Sequence, residues 1–198
     1  MNRLKIIHDS SADSPREWDN FGTMICFHGR YDLGDKHNYN SDDYSGWEEM
    51  EKAIRTDYGK GAVVLPLYLL DHGRVQISTT SFKGEIARWD SGQIGFIAVS
   101  KKDILDNFGG KIITQKTKEK VIKLLDAEVE TYGYYVEGDV YGFRIVDEDD
   151  NEVDSCWGFY GLDFLTNGML DYINSENLGD ITQEQLEELI ENTEVEYS

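Results

Sequence analysis

The segment His28-Gly-Arg-Tyr-Asp32-Leu-Gly-Asp35-Lys-His37 concentrates the side chain types that bind divalent metals. Imidazole and carboxylate together suit Zn, Mn or Fe, and Asp13, Glu17 and Asp19 lie upstream to join them in space. The spacing matches no established metal motif, and Asp and Gly are also the usual residues of hydrogen-bonded turns. Two readings follow: a metal centre on His28, Asp32, Asp35 and His37, or a turn-rich loop. The first would support a metal-dependent enzyme acting on a nucleotide or nucleic acid. In that case the basic run Lys111–Lys123 would help a negative substrate approach.

Other chemistry is less well supported. Asp147-Glu148-Asp149-Asp150-Asn151-Glu152 resembles a calcium loop in composition, but an EF-hand needs Gly at its sixth position and flanking helices. Glu152 holds that position here, and strand-like runs flank the segment, so a solvated hairpin turn is expected. Cys26 and Cys156 lie in apolar runs where a free thiol is ordinarily inert packing. His28 follows Cys26 by two residues, on the same side of a strand, which is the only hint of a dyad. Ser78 with Asp71 and His72 lacks a nucleophile elbow, and GKGAVV lacks the rest of a phosphate loop. No catalytic residues are assigned.

Charge is more informative. The 198 residues hold 39 acids against 19 Lys and Arg, a net charge of −20. Such a surface repels phosphate and argues against direct nucleic-acid binding. Residues 1–138 hold 22 acids and 18 bases, whereas 139–198 hold 17 acids and one base, Arg144. The sequence shows no membrane-spanning apolar run and no signal-peptide core, so a protein of the cytoplasm without a membrane partner is expected. Two cysteines make no disulfide framework. Aromatic segments around Trp89 and from Asp154 to Gly161, with Tyr132, Tyr134, Tyr135 and Tyr141, are either core or anchors for a basic partner.

The elements that would position these residues alternate irregularly. Strands are expected at Gly22–Phe27, Ala62–Asp71, Val75–Thr79, Ile94–Val99, Val140–Val146 and Val153–Phe159. Pro66 marks a bulge or an edge. Capping-box spacing at Ser45–Glu48 predicts a helix to about Asp57, and Ser100 predicts one over Lys101–Asn107. The longest helix should span about Lys116–Tyr132, and another Phe164–Ile173. A last helix should open at the capping box Thr182–Gln185 and run to about Asn192. It places Glu184, Glu187, Glu188 and Glu191 on one face and Leu186, Leu189 and Ile190 on the other. The reading is one α+β domain over 1–198. It has a mainly antiparallel sheet, hairpins at about 62–79 and 140–159, several packed helices and an acidic C-terminal helix.

Four segments carry a resemblance. SPREWDNFGTMICFHGRYDLGDKH (Ser14–His37), LPLYLLDH (Leu65–His72), WDSGQIGFIAVSK (Trp89–Lys101) and DSCWGFYG (Asp154–Gly161) resemble a family of small proteins from bacteriophages and mobile elements of Gram-positive bacteria. The resemblance brings no functional residues with it and does not extend to the acidic stretch after Asn174. It implies a phage accessory protein working in the bacterial host cytoplasm. Taken with the charge, the expected function is an inhibitor of a host defence nuclease, of the anti-CRISPR or anti-restriction type. Carboxylates would stand in for phosphates on the basic nucleic-acid-binding surface of that partner. The expected contact residues are Asp147, Glu148, Asp149 and Asp150 on the hairpin and Glu184, Glu187, Glu188 and Glu191 on the helix. No cofactor is required, apart from the metal of the alternative reading.

Overall fold

The computed structural model describes residues 2–179 and 181–197. In chain order the elements are β1 (Arg3–His8), β2 (Thr23–Cys26), α1 (Trp47–Asp57), β3 (Val63–His72), β4 (Arg74–Ser78), α2 (Ala87–Asp90) and β5 (Ser91–Val99). They continue with α3 (Lys101–Phe108), α4 (Gln115–Glu137), β6 (Val140–Val146), β7 (Glu152–Tyr160), α5 (Met169–Tyr172), α6 (Gln183–Asn192) and β8 (Val195–Glu196). The class is α+β. The strands form two four-stranded sheets, ordered β7-β6-β1-β8 and β2-β5-β3-β4, and antiparallel except where β8 joins β1. The chain forms two compact units, residues 1–14 with 134–198, and residues 15–133, with the boundary inside α4. No helix among the described residues is long and apolar enough to cross a membrane.

The first unit holds the sheet β7-β6-β1-β8. Alternation turns Leu4, Ile6, Tyr141, Phe143, Ile145 and Phe159 to one face, where Met169, Ile173, Leu178, Leu186 and Ile190 cover them. β6 and β7 form the expected second hairpin. Trp157 lies flat over Gly142: a Cβ there would come within 2.3 Å of the indole, so only glycine fits. The expected helix Phe164–Ile173 is reduced to the single turn of α5. Gly168, at φ +96° in the left-handed region, interrupts it, and Asn167 caps the Met169 N–H instead. β1 is an addition to the expected strands, since its Leu4-Lys5-Ile6-Ile7 run is short and bears a charge at its centre.

The second unit holds the sheet β2-β5-β3-β4. One face, with Ile25, Val64, Phe96 and Ala98, packs on Met50 and Ile54 of α1. Ile97 points the other way and meets Leu125 of α4 beside Gly22. β3 and β4 make the expected first hairpin about Gly73. Pro66 sits opposite Phe96 of β5, at a point where β4, which pairs from Tyr68 onward, does not reach it. The ladder with β5 shifts register one residue further on, between Leu67 and Tyr68. α1 starts one residue later than the capping-box spacing suggests. Gly46 is its cap residue, and Ser45 reaches Glu49 through both its N–H and its hydroxyl. α4 is longer than expected because Thr114 caps it and its last turn continues past Tyr132.

Candidate partner-binding surface

The division into units sharpens the division of charge. The first unit carries 20 acids against three bases, and the second 19 acids against 16 bases. The three bases of the first unit are already engaged by its own acids. Arg3 contacts Asp150 at 2.9 Å, Arg144 contacts Glu152 at 2.7 Å, and Lys5 lies 3.7 Å from both Asp150 and Glu196. Its excess of carboxylates therefore has no cationic Lys or Arg side chain of the same unit left to meet.

α6 presents part of that excess. Thr182 accepts from the Gln185 N–H while the Gln185 side chain accepts from the Thr182 N–H, closing the capping box read in the sequence. Leu186 and Ile190 are buried in the core, which fixes the rotation of the helix. Glu184, Glu188 and Glu191 are exposed; Glu187, three residues before Ile190, is half-buried and accepts from Gln183. The helix thus presents three exposed glutamates.

The hairpin acids separate further. Asp147 accepts from the backbone N–H of Asp149 and Asn151 and from the Asn151 amide, and these bonds hold its carboxyl below the usual range, the Asn151 side chain most strongly. It is a turn-forming residue. Asp150, at φ +63° in the left-handed region, is tied to Arg3 and Lys5. Glu148 and Asp149 are exposed at the tip. Of the four acids expected here as contacts, Glu148, Asp149 and Asp150 are exposed and Asp147 is half-buried in the turn; Glu148, like Asp150, has an electrostatic partner of its own.

The loop from His28 to His37 does not bring its four expected metal ligands together. Asp35 receives two N–H donors of Arg16 and the Met24 N–H. His37 Nε2 bonds the Cys26 carbonyl, so it donates, and the ring lies among Phe27 and Tyr39. His28 accepts the backbone N–H groups of Arg30 and Tyr31 through Nδ1 and stacks on the Tyr31 ring. Asp32 is exposed. Among the described residues no group of three or more His, Cys, Asp and Glu is placed to hold a metal ion. The turn reading therefore describes this loop, and its side chains are used to fold it.

Sequence spacing does not reveal the partner of that loop. Arg16, with a side chain only 5% exposed, lies between Asp35 and Glu128 and also donates to the Gly22 carbonyl. Glu128 accepts the N–H groups of Phe21 and Gly22, and the Tyr132 hydroxyl accepts from Gly34. Glu128 and Tyr132 are four residues apart on α4, so one helix face organises the whole segment from Arg16 to Asp35. The one signal of this in the sequence is periodicity, which sets Glu128 on the apolar stripe of that helix.

The thiols differ in setting. Cys26 is buried, and desolvation, assisted by Asp35 and opposed by Arg16, pushes its pKa up to about 12. His28 spends its Nδ1 on the backbone, which leaves no base at that atom for a Cys26 dyad. Cys156 is half-buried on β7. Of the aromatic candidates, Trp89 is 84% exposed and Trp157 46%, whereas Tyr132 and Tyr141 are core residues. Trp89 borders an open cleft of about 530 Å³ with His28, Arg30, Asp71 and Asp90. Arg30 pairs with Asp71 at 3.0 Å, and His72 with Asp90 at 2.7 Å. No family model, curated protein or solved structure matches the chain.

Proposed function

We propose that the protein is an acidic, phage-encoded inhibitor that occupies the basic nucleic-acid-binding surface of a host defence nuclease in the bacterial cytoplasm. The observation that carries this reading is the unit of residues 1–14 and 134–198, with 20 acids, three bases and each base already paired. A surface in that state attracts a Lys/Arg-lined channel and displaces the anions that otherwise neutralise the channel. Glu184, Glu188 and Glu191 with Glu148 and Asp149 are the foremost contacts, since the fold leaves their carboxylates exposed.

The test uses host strains that each carry a single nuclease-based defence system. Expression of the chain restores phage plating in at least one strain, and a variant with Glu184, Glu188 and Glu191 replaced by Gln loses much of that effect. Equal plating with and without the chain in every strain, or full protection by the variant, overturns the proposal.

A further inference from the structure

The most basic stretch of this acidic chain lies in its other unit. Residues 101–123 contain seven of the twelve lysines and only three acids, Asp103, Asp106 and Glu119. Each of those acids is engaged on its own helix or its cap: Asp103 with Ser100, Asp106 with Lys102, and Glu119 with Gln115. Among the described residues, Lys101 and Lys118 therefore keep their charge unpaired. So does Lys60, next to the tight turn at Gly61, φ +97°, which packs against the Lys101 side chain.

The cleft measures about 520 Å³, within the usual range for small-molecule sites. Lys60, Lys101 and Lys118 line it from three separate segments, and no carboxylate among the described residues does. Its remaining wall is apolar, formed chiefly by Val63, Ile112 and Ile113, and Ile112 is 71% exposed. α3 begins at Lys101, and its first turn is closed by Ser100 and Asp103, which bond each other. Three point charges suit an oligophosphate. The uncovered Ile112, with the half-buried Ile113 beside it, suits a flat base.

We propose that this cleft binds a nucleoside polyphosphate, its phosphate chain held by Lys60, Lys101 and Lys118 and its base laid on Ile112 and Ile113. The site is independent of the acidic surface, because it uses none of the same residues.

Isothermal titration of the intact chain with ATP, inorganic triphosphate and adenosine tests it at 0.15 M salt, where charges beyond about 8 Å are screened. ATP binds saturably, triphosphate binds more weakly, and adenosine alone does not bind. Replacing Lys60, Lys101 and Lys118 by Gln weakens ATP by at least about tenfold with unchanged circular dichroism, while Lys52→Gln with Lys83→Gln leaves it unaltered. Absence of saturable ATP binding at millimolar concentration overturns the proposal, as does undiminished binding by the triple variant. Tighter binding of a thymidine oligonucleotide than of ATP, lost in the same variant, would make the cleft a strand-binding track and the nucleotide assignment wrong.

Discussion

Arg16 shows how much of a conspicuous sequence motif can be spent on folding. Its guanidinium satisfies Asp35, Glu128 and the Gly22 carbonyl at once, in a place where its side chain is 5% exposed and those of Asp35 and Glu128 are 20% and 14%. Removing it leaves two nearly buried carboxylates without the cation between them. Arg16→Met should therefore cost about 3–5 kcal/mol in urea unfolding, against less than about 1 kcal/mol for Lys102→Met, whose partner Asp106 is solvated. Similar losses for both would deny Arg16 this role. Asp35 resembles a metal ligand because composition shows residue types near each other, whereas its true partners, Arg16 and the Met24 N–H, are brought in by the fold. Cys26 is legible as buried packing from its apolar run, and its surroundings give the pH consequence. The folded chain holds the thiol proton to about pH 12, against an ordinary value of 9.0. The resulting stabilisation is complete below pH 9 and is lost as pH rises toward 12, at up to about 1.4 kcal/mol per unit. Comparing unfolding of the native chain and Cys26→Ala across that window should show the difference between them shrinking with pH. A constant difference would mean the thiol is not desolvated. Native labelling should likewise reach Cys156 well before Cys26.

At the scale of elements, the legible signals are those that close within a few residues. The capping box of α6, the Ser100 cap of α3 and both hairpins each depend on neighbours in the chain. The illegible ones depend on distant partners. β1 is a strand because β6 and β8 flank it, and the segment 164–168 is irregular because Asn167 turns to the Gly161 carbonyl and the Met169 N–H. α6 tests the local class directly. Thr182→Ala removes the oxygen that accepts the Gln185 N–H and should lower stability by about 1 kcal/mol, seen as a fall in Tm. An unchanged Tm would mean that burial of Leu186 and Ile190 alone holds the helix. The hairpin separates geometry from charge in the same way. Asp147→Asn weakens the turn, and because its carboxyl is held below the usual range, the contribution of the charged form is present above that range and lost as pH falls through it. Asp149→Asn changes only charge, so hydrogen exchange at the turn should rise for the first variant and stay level for the second.

On the scale of the whole molecule, the uneven charge is plain in the composition, but its boundary is not. Counting residues along the chain puts the change near 138, because nothing in the sequence joins the N-terminal segment to the acidic third. With residues 1–14 included, that unit gains Arg3 and Lys5, and both are neutralised by its own acids. An inhibitor that works by charge should therefore weaken steeply with salt, since exposed carboxylates are screened beyond about 8 Å at 0.15 M. Against a nuclease identified by the plating test, the logarithm of affinity should fall with the logarithm of salt. Changing Glu184, Glu188 and Glu191 to Gln should reduce both the affinity and that slope, while keeping helix propensity nearly constant. The double change Glu148→Gln and Asp149→Asn should act in the same direction, whereas Asp150→Asn should matter less for charge because Arg3 and Lys5 already offset that residue. If both sets reduce affinity but leave the salt slope intact, the contacts are made through shape and not through charge. If neither set changes affinity, recognition lies elsewhere, and Trp157 and Tyr172, exposed on the same unit, become the residues to replace.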